Sequence, residues 1–324
     1  MDKLIGYIQV VCCSLLLCTS CIKDGMDKDC GAYIRFVYNY NLEYTDLFHK
    51  QATRIHLYVF DKNGVYVTEL KETPGQFAPD YLMPLPESLR GSHYTLIAWS
   101  GLYDESYEKN LLTPGVSTLE ELEIRASNLQ TRAAKGCIDR QLHPLWHGKN
   151  QEMAPQFTND ITTVSLLKNT NHFRIVMQSL DNAVMRTEDY DIRILSPNGR
   201  YNHANELQGN DEEEQIAYSP YYTANDEEAG AIAEMNTLRL LTDKDNRLVI
   251  THRTTGNTIL DIPLNRYLNA LRLQQYAHMP LQEYLDRADK HSIVFFFKGM
   301  DHNGHYLSVD VQINDWLMRE QEVG

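Results

Sequence analysis

The amino-acid sequence predicts an all-β protein built as a sandwich, with a few short inserted helices. Within several short segments apolar and polar residues alternate one by one, as in strands that place one face on a core. Three Asn-Gly dipeptides separate such runs, at Asn63-Gly64, Asn198-Gly199 and Asn303-Gly304, and Asn-Gly accepts the positive φ angles of a hairpin turn. Helix-period patterns are few and short, so strands decide the fold class.

The size and charge of the chain limit its partners. With 324 residues, 43% of them hydrophobic, it is long enough for two domains of ordinary size. Asp and Glu number 44 and Lys and Arg number 30, so the formal net charge is −14. A protein this acidic, with no local basic run, is not expected to bind nucleic acid.

The first segment, residues 1–20, is predicted to be a lipoprotein signal peptide. Residues 4–17 form an apolar stretch behind Lys3, which has the length of a signal-peptide core and is too short to span a bilayer. Two small polar residues then precede Cys21 in a pattern that resembles a bacterial lipobox, although Cys18 stands where Leu is usual. Cleavage before Cys21 leaves this residue to carry the lipid. A plain secretory signal cut near Ser20 is the alternative.

Residues 21–30 are predicted to be a lipidated acidic tether. Asp24, Asp27 and Asp29 follow the lipidated cysteine, and such an acidic stretch resembles the export signal of surface lipoproteins in the Bacteroidota. Each buried CH₂ of an acyl chain contributes about 0.8 kcal/mol, so several chains hold a protein firmly. The expected location is the cell outer membrane, with the body lipid-anchored and exposed at the cell surface.

Two cysteines are left in the rest of the chain, Cys30 and Cys137. An even pair in an oxidising compartment is compatible with one disulfide between them. Two buried free thiols are the alternative, and the sequence does not decide between the two.

The first predicted domain, residues 31–168, carries one hairpin and one helical turn. Residues 55–60 alternate ahead of Asn63-Gly64, and Thr118 with Glu121 forms a capping-box pattern. Further strands are predicted at residues 32–40, 94–99 and 163–167.

The second predicted domain, residues 169–324, begins after a polar, turn-prone stretch. Its clearest hairpin joins the apolar run 293–297 to the alternating run 306–313. Short helices are predicted after Pro263 and Pro280, where apolar residues recur at helical spacing. Further strands are predicted at residues 173–177, 190–195, 233–241 and 248–251.

No motif for catalysis, phosphate binding or metal binding stands out in the sequence. His143 and His147 are four residues apart, but Pro144 disfavours a helical metal site, and both are interpreted as loop residues. His302 and His305 flank a turn and are interpreted as a solvated hairpin tip. The chain is therefore expected not to be an enzyme and to hold no metal and no cofactor.

Other polar and aromatic clusters have plain structural interpretations. The segment Asp243-Lys244-Asp245-Asn246 faintly resembles a calcium loop and is expected to be a turn. The acidic runs 211–214 and 226–228 are expected to be solvated loops. Three neighbouring tyrosines are interpreted as a buried aromatic corner, with a sugar-stacking platform as the alternative. They are Tyr218, Tyr221 and Tyr222.

Nine short motifs follow one another along the chain. They are Asp29-Cys30, Phe48-His49-Lys50, Arg54-Ile55-His56-Leu57-Tyr58-Val59-Phe60-Asp61, Trp99-Ser100-Gly101-Leu102, Leu145-Trp146-His147-Gly148, Leu166-Leu167-Lys168-Asn169-Thr170-Asn171, Tyr218-Ser219-Pro220-Tyr221, Glu234-Met235-Asn236-Thr237-Leu238-Arg239-Leu240 and Ile313-Asn314-Asp315-Trp316. In this order they resemble the FimB/Mfa-type fimbrial anchor family. The resemblance implies two transthyretin-like β-sandwich domains in a non-enzymatic outer-membrane lipoprotein.

The resemblance also implies partners. A member of this family sits at the base of a fimbrium, attaches it to the cell and limits its growth. Its partners are pilin subunits, which associate by donor-strand β-augmentation, and the outer membrane. If residues 306–313 pair with 293–297, no alternating apolar segment is left to donate, so we expect this chain to accept a strand and not to pass one on. A surface glycan-binding β-sandwich lipoprotein is the alternative.

Overall fold

The computed structural model describes residues 31–127, 136–156, 159–181, 183–208, 215–227, 230–270, 272, 274–300, 306–313 and 316–319. The first strands are β1 (Ala32–Val37), β2 (Ile55–Asp61), β3 (Tyr66–Glu72), β4 (Met83–Pro84), β5 (Tyr94–Ser100), β6 (Tyr107–Lys109), β7 (Glu123–Ala126), β8 (Cys137–Ile138), β9 (Trp146–Met153) and β10 (Asp160–Lys168). They are followed by β11 (Thr170–Ser179), β12 (Tyr190–Ser196), β13 (Arg200–Asn202), β14 (Ile216–Tyr218), β15 (Tyr222–Asp226), β16 (Gly230–Leu238), β17 (Arg247–His252), β18 (Thr258–Pro263), β19 (Lys290–Met300), β20 (Tyr306–Ile313) and β21 (Trp316–Arg319). The helices are α1 (Phe48–Gln51), α2 (Leu264–Ala270) and α3 (Leu281–Arg287).

A seven-stranded sheet organises the first half of the chain, in the order β3-β2-β5-β9-β10-β1-β4. The predicted hairpin over Asn63-Gly64 is confirmed, because β2 and β3 pair antiparallel. Gly64 has a φ of 76° and supplies the left-handed position, whereas Asn63 has a negative φ, so the turn is not type I′. The Asp61 carboxylate accepts the N–H of Asn63 at 2.8 Å and that of Val65 at 2.9 Å.

One face of this sheet holds the first core. Alternation along β2 sends Ile55, Leu57 and Val59 into it. Helix α1 and the loops around β4 close the core from the other side with Phe48 and Phe77, whose ring centroids are 4.8 Å apart.

Two further sheets form the sandwich of the second half. A six-stranded sheet has the order β15-β16-β11-β19-β20-β21, and a five-stranded sheet has the order β18-β17-β12-β14-β8. Their facing side chains fill the second core, with Phe173 and Phe295 on one side and Ile192 and Ile250 on the other. The predicted β19–β20 hairpin is confirmed as an antiparallel pair, and its Asn303-Gly304 turn lies outside the described residues.

The second predicted hairpin, over Asn198-Gly199, is wrong. Strand β12 pairs with β14 and β17, whereas β13 pairs with β7 in a separate three-stranded sheet of order β13-β7-β6. Asn198 is fully buried and accepts a hydrogen bond from the Tyr218 hydroxyl at 2.7 Å, and its amide donates to the Arg239 carbonyl at 3.0 Å. Those bonds fix a sheet-to-sheet crossing in place of a tight turn.

Strand pairing connects the two halves of the chain. Strand β10 ends and β11 begins on either side of Asn169, but β7 pairs with β13 and β8 pairs with β14. The Asn169 and Asn205 side chains are buried and exchange hydrogen bonds at 2.5 and 3.0 Å. The fold is an all-β, transthyretin-like pair of sandwiches, and the division into residues 31–168 and 169–324 stays a prediction.

The predicted helical features are present. The Glu121 carboxylate accepts the backbone N–H of Thr118 at 2.9 Å, which completes the predicted capping box at a single 3₁₀ turn. Helices α2 and α3 begin directly after Pro263 and Pro280.

Candidate functional site

Strand β1 lies next to the edge of the seven-stranded sheet. On its inner side it pairs in parallel with β10 over all six of its residues. On its outer side β4 pairs with two residues only, Tyr33 and Ile34. Pro84 of β4 lacks an N–H, which makes a short, proline-bearing strand a poor template for further pairing. β4 therefore covers only part of the outer edge of β1.

Successive residues of β1 direct their backbone N–H and C=O groups alternately towards β10 and towards β4. Leu85 N–H donates to the Ala32 carbonyl at 2.9 Å on the β4 side. Alternate residues of a strand point their N–H and C=O groups the same way, so those of Phe36 also point to this outer side, beyond the two residues that β4 pairs. Backbone groups at a sheet edge are what an incoming strand binds.

The same strand fills the first core. Ala32, Ile34 and Phe36 are each at most 2% exposed, whereas Arg35 on the opposite face is exposed. The Phe36 ring lies 5.6 Å from that of Phe48 in α1. Burial of one such large apolar side chain contributes about 1.5–3 kcal/mol. Strand β1 is thus a firmly seated strand with an incompletely covered edge.

The turn that follows β1 is clamped to the second half of the chain. The Asp46 carboxylate accepts the Tyr38 N–H at 2.9 Å and holds the turn closed. The guanidinium of Arg287, in α3, lies 3.9 Å from the ring centre of Tyr40 and 4.8 Å from that of Tyr44. α3 therefore fixes the carboxyl end of β1.

A buried ion pair holds α3 itself. Arg239 and Asp286 form two parallel hydrogen bonds of 2.7 Å, and the Asp286 side chain is 4% exposed. Burial lowers the pKa of Arg239, but the hydrogen bonds to Asp286 outweigh it and leave that pKa raised. Gln282 donates to Asp286 at 2.9 Å. We call the packing of Arg287 on Tyr40 and Tyr44 the clamp. The helix that carries Arg287 is thus held in place by a buried, hydrogen-bonded ion pair.

The other sheets also end in edge strands. β15 is largely exposed and pairs only with β16 among the described strands. At the opposite edge, β20 pairs with β19 and β21 folds back onto β20. Residues 306–313 are therefore used inside the six-stranded sheet.

Of the cysteines predicted to carry a lipid or to form a disulfide, only Cys137 lies among the described residues. Cys21 and Cys30 lie outside the described residues. Cys137 lies half-buried in β8, with its sulfur 3.7 Å from the Ser219 hydroxyl. Its pairing with Cys30 stays a prediction.

Of the two histidines interpreted as loop residues, His143 lies in a loop, as predicted, whereas the interpretation of His147 is wrong. His147 lies inside β9, and its Nε2 is 3.0 Å from the His203 carbonyl. Burial lowers the pKa of His147 to about 3. His143 stacks on Tyr103 with ring centroids 3.9 Å apart. His302 and His305 lie outside the described residues.

The remaining clusters have structural roles where they are described. Tyr218 is fully buried, as predicted for an aromatic corner, whereas Tyr222 is half exposed. Asp243 lies in a turn, as predicted, and Arg247 pairs with Asp261 at 2.7 Å in the following strands. The run 211–214 lies outside the described residues. In the part of the chain that is described, no group of three His, Cys, Asp or Glu side chains has a metal-binding arrangement.

The sequence did not point to β4 or to the clamp. Met83–Pro84 is a two-residue strand with no periodicity, and only its proline hints at an edge. Arg287 gives no sequence signal, since its aromatic partners lie more than 240 residues away. Among the described residues, no helix has the length and apolarity needed to cross a membrane.

Comparisons with known proteins agree with this fold. A profile of the family described as fimbrillin-A associated anchor proteins Mfa1 and Mfa2 matches residues 26–322. The chain is 25% identical to the minor fimbrium anchoring subunit Mfa2 of Porphyromonas gingivalis over 95% of this chain and 92% of that protein.

Solved structures extend the likeness. A Bacteroides thetaiotaomicron protein, named as a candidate polysaccharide-binding protein, is 33% identical with a TM-score of 0.78, over 90% of this chain and 99% of that chain. The crystallised anchor protein Mfa2 from Porphyromonas gingivalis is 19% identical with a TM-score of 0.67, over 90% and 99%, and that match bears on the fold alone.

Proposed function

Because this chain belongs to the family of fimbrillin-A associated anchor proteins Mfa1 and Mfa2, we propose that it holds the base of a fimbrium at the cell outer membrane. Members of the family are structural proteins of fimbriae at the cell surface. In the proposal, a lipid on Cys21 provides the membrane attachment, and the acidic residues 21–30 form the tether.

The pilin subunit binds by β-augmentation at the outer edge of β1. The single observation that carries this is the contrast between the two sides of β1, six paired residues towards β10 and two towards β4. An incoming strand displaces β4, pairs with the backbone of β1 and continues past Ile34 to Phe36. Displacing β4 costs the burial of Met83, about 1.5–3 kcal/mol, which the added backbone hydrogen bonds and apolar contacts offset.

In the proposal the chain ends filament growth, because none of its described strands at the carboxyl end is left unpaired for donation. Pairing of β20 with β19, and of β21 with β20, supports this part of the proposal. A subunit that donates a strand keeps that strand unpaired until the next subunit arrives, whereas residues 306–313 complete a sheet of their own protein.

Photocross-linking in intact cells tests the docking edge. A p-benzoylphenylalanine is placed at Arg35 or at Pro84, both exposed beside the outer edge of β1. The matched control is the same group at Tyr222, on the exposed edge strand β15. We expect the pilin subunit to be captured from positions 35 and 84 only. Capture from position 222 alone would place the docking edge elsewhere.

Membrane fractionation tests the lipid anchor. Cys21→Ala is expected to release the protein and its fimbriae from the outer-membrane fraction, while Cys137→Ala leaves both in place. Unchanged retention of the Cys21→Ala variant contradicts the anchor.

A further inference from the structure

The turn that follows β1 lies across the outer edge of that strand, and we call residues 38–47 the edge turn. Ala32 directs its backbone groups to the outer side, where its carbonyl accepts an N–H from the chain beyond β4. The Gly31 carbonyl points the other way and accepts the Asn159 N–H at 2.9 Å, just before β10. Every second residue of an extended chain points its groups to the same side. The backbone groups of Tyr38 are therefore directed to the outer side, like those of Ala32.

Both backbone groups of Tyr38 are occupied by the edge turn itself. The Tyr38 N–H donates to the Asp46 carboxylate at 2.9 Å, and the Tyr38 carbonyl accepts the Leu47 N–H at 2.9 Å. The same carbonyl accepts the side-chain amide of Asn41 at 3.0 Å, which fills its second lone pair. The edge turn thus stands where an incoming strand would continue, so that strand can pair with β1 no further than Val37.

The edge turn is held by bonds that an incoming strand would have to break. Asn41 is 4% exposed, and its amide also donates to the Thr45 carbonyl at 2.8 Å. Arg287, which forms the clamp, donates to the Asn41 carbonyl at 3.4 Å. The Asp46 carboxylate accepts a second N–H, that of Phe48, at 3.0 Å. These bonds make the turn a fixed obstacle at the end of the free edge.

Tyr44 is an exposed residue of the edge turn in an unfavourable backbone conformation. Its φ is +53°, in the left-handed region where Cβ crowds the following carbonyl oxygen. Among the described residues, the other non-glycine residues with a positive φ are Asn159 and Asn205, and asparagine tolerates this region. Tyr44 is 57% exposed, and its contact with Arg287 at 4.8 Å is weak at an exposed position. A bulky residue held this way with little burial indicates a role outside the fold.

The ring of Tyr44 is close to the place where an incoming strand must end. Consecutive Cα atoms are about 3.8 Å apart, so the Cα of Tyr44 lies at most about 7.6 Å from that of Asp46. A partner chain that is stopped at Asp46 has to turn away there and passes the exposed side of the edge turn. A tyrosine on a rigid backbone offers a large contact area at a small cost in conformational entropy.

We propose that the edge turn sets the register of the pilin strand at β1, and that the Tyr44 ring packs on an apolar side chain of the pilin segment that leads out of this strand. This role rests on the proposed function, because it requires the docking edge at β1. The turn determines where pairing ends, and Tyr44 favours pilin subunits that carry an apolar residue at that point.

Photocross-linking from position 44 in intact cells tests the contact. The matched control for p-benzoylphenylalanine at position 44 is position 222, because Tyr222 is 50% exposed in β15. We expect pilin to be captured from position 44 and not from position 222. Mass spectrometry should place the cross-linked residue at one end of the pilin segment that positions 35 and 84 capture.

The outcomes separate this contact from the docking edge. Capture from positions 35 and 84 without capture from position 44 overturns the contact and leaves the docking edge in place. A cross-link from position 44 to the middle of the captured segment overturns the register stop, because the strand would then run past the turn. No capture from any of the three positions overturns the docking edge, and this role with it.

The Tyr44→Gly variant separates a binding role from a structural one. It removes the ring and relieves the positive φ, so the melting temperature should be equal to that of the unaltered protein or higher. The dissociation constant of the full-length mature protein for a synthetic peptide spanning the cross-linked pilin segment should rise at least about tenfold. The matched control Tyr222→Gly should leave that constant unchanged. Unchanged peptide affinity in Tyr44→Gly, or a lowered melting temperature, overturns the proposal.

Discussion

Removing the carboxylate of Asp286 is expected to weaken the fold more than any exposed charge change. Asp286 accepts two 2.7 Å hydrogen bonds from Arg239 and one of 2.9 Å from Gln282. The Asp286→Ala variant leaves the Arg239 guanidinium in place, with 17% of its side chain exposed. A charge buried to this extent cannot turn to water without moving α3.

The magnitude follows from the desolvation of that charge. Breaking a buried pair by removing one partner costs about 3–5 kcal/mol, because the other charge is left uncompensated. Replacing both partners, with Arg239→Met and Asp286→Leu together, removes the uncompensated charge. The double variant is expected to be at least about 2 kcal/mol more stable than Asp286→Ala alone.

Urea unfolding of the purified mature protein measures these differences, with the slope of the transition used to check that one cooperative unit unfolds. The matched control is Glu87→Ala, which breaks the exposed Arg90–Glu87 pair and is expected to cost less than about 1 kcal/mol. A cost below about 1 kcal/mol for Asp286→Ala, or a double variant no more stable than the single one, refutes the reasoning.

Three further predictions concern buried histidines, one carboxylate and one glycine. Burial lowers the pKa of His147 to about 3 and that of His291 to about 4. The unfolded chain takes up these protons first, near pH 6.5, so the free energy of unfolding should fall by up to about 1.4 kcal/mol per histidine per pH unit between pH 6.5 and the pKa of the folded protein. The fall should be smaller in the His147→Gln and His291→Gln variants. Burial raises the pKa of Glu69, but hydrogen bonds from His56 and Lys109 outweigh it and bring the pKa to about 2, below the unfolded value of about 4.5. The contribution of Glu69 to stability is therefore complete above pH 4.5 and is lost between pH 4.5 and pH 2. If the melting temperature of Glu69→Gln depends on pH in the same way as that of the unaltered protein, this prediction is wrong. Gly101→Ala should lower the free energy of unfolding by several kcal/mol, because the new Cβ would lie 1.8 Å from the Pro144 backbone oxygen at a φ of +83°. Gly75→Ala, at a φ of +80° with open space around it, should lower it by only about 1–2 kcal/mol. Equal melting temperatures of the two variants would refute the steric argument.

The hairpins that were predictable are local. β2–β3 and β19–β20 each join strands a few residues apart, and their periodicity and turn residues lie in one stretch of sequence. The parallel pairs β1–β10 and β11–β19 join strands more than 100 residues apart, and no local pattern specifies such a partner.

Two local predictions failed because long-range hydrogen bonds determine the conformation. Asn198 precedes a glycine, as in a hairpin, but its side-chain amide hydrogen-bonds to the buried Tyr218 hydroxyl and to the Arg239 carbonyl. His147 was interpreted as a loop residue, yet it lies in strand β9, which begins two residues after Pro144. In both cases tertiary hydrogen bonding outweighed the local signal.

The candidate site was predictable only in outline. Alternation in residues 32–40 indicated a strand, and the motif series indicated the family. The half-covered edge depends on β4, which is two residues long, and the clamp depends on a helix from the far end of the sequence. Neither β4 nor the clamp produces a periodic pattern of apolar residues in the sequence.

The position of β1 determines how a pulling force travels through the protein. In the proposed assembly the membrane tether enters at the amino end of β1, and the filament is attached along the outer edge of the same strand. Tension then runs along the backbone of one strand and loads its ladder of hydrogen bonds in shear, all together. The second hydrophobic core contains no residue of β1, so the anchor can bear traction without the second sandwich being pulled apart.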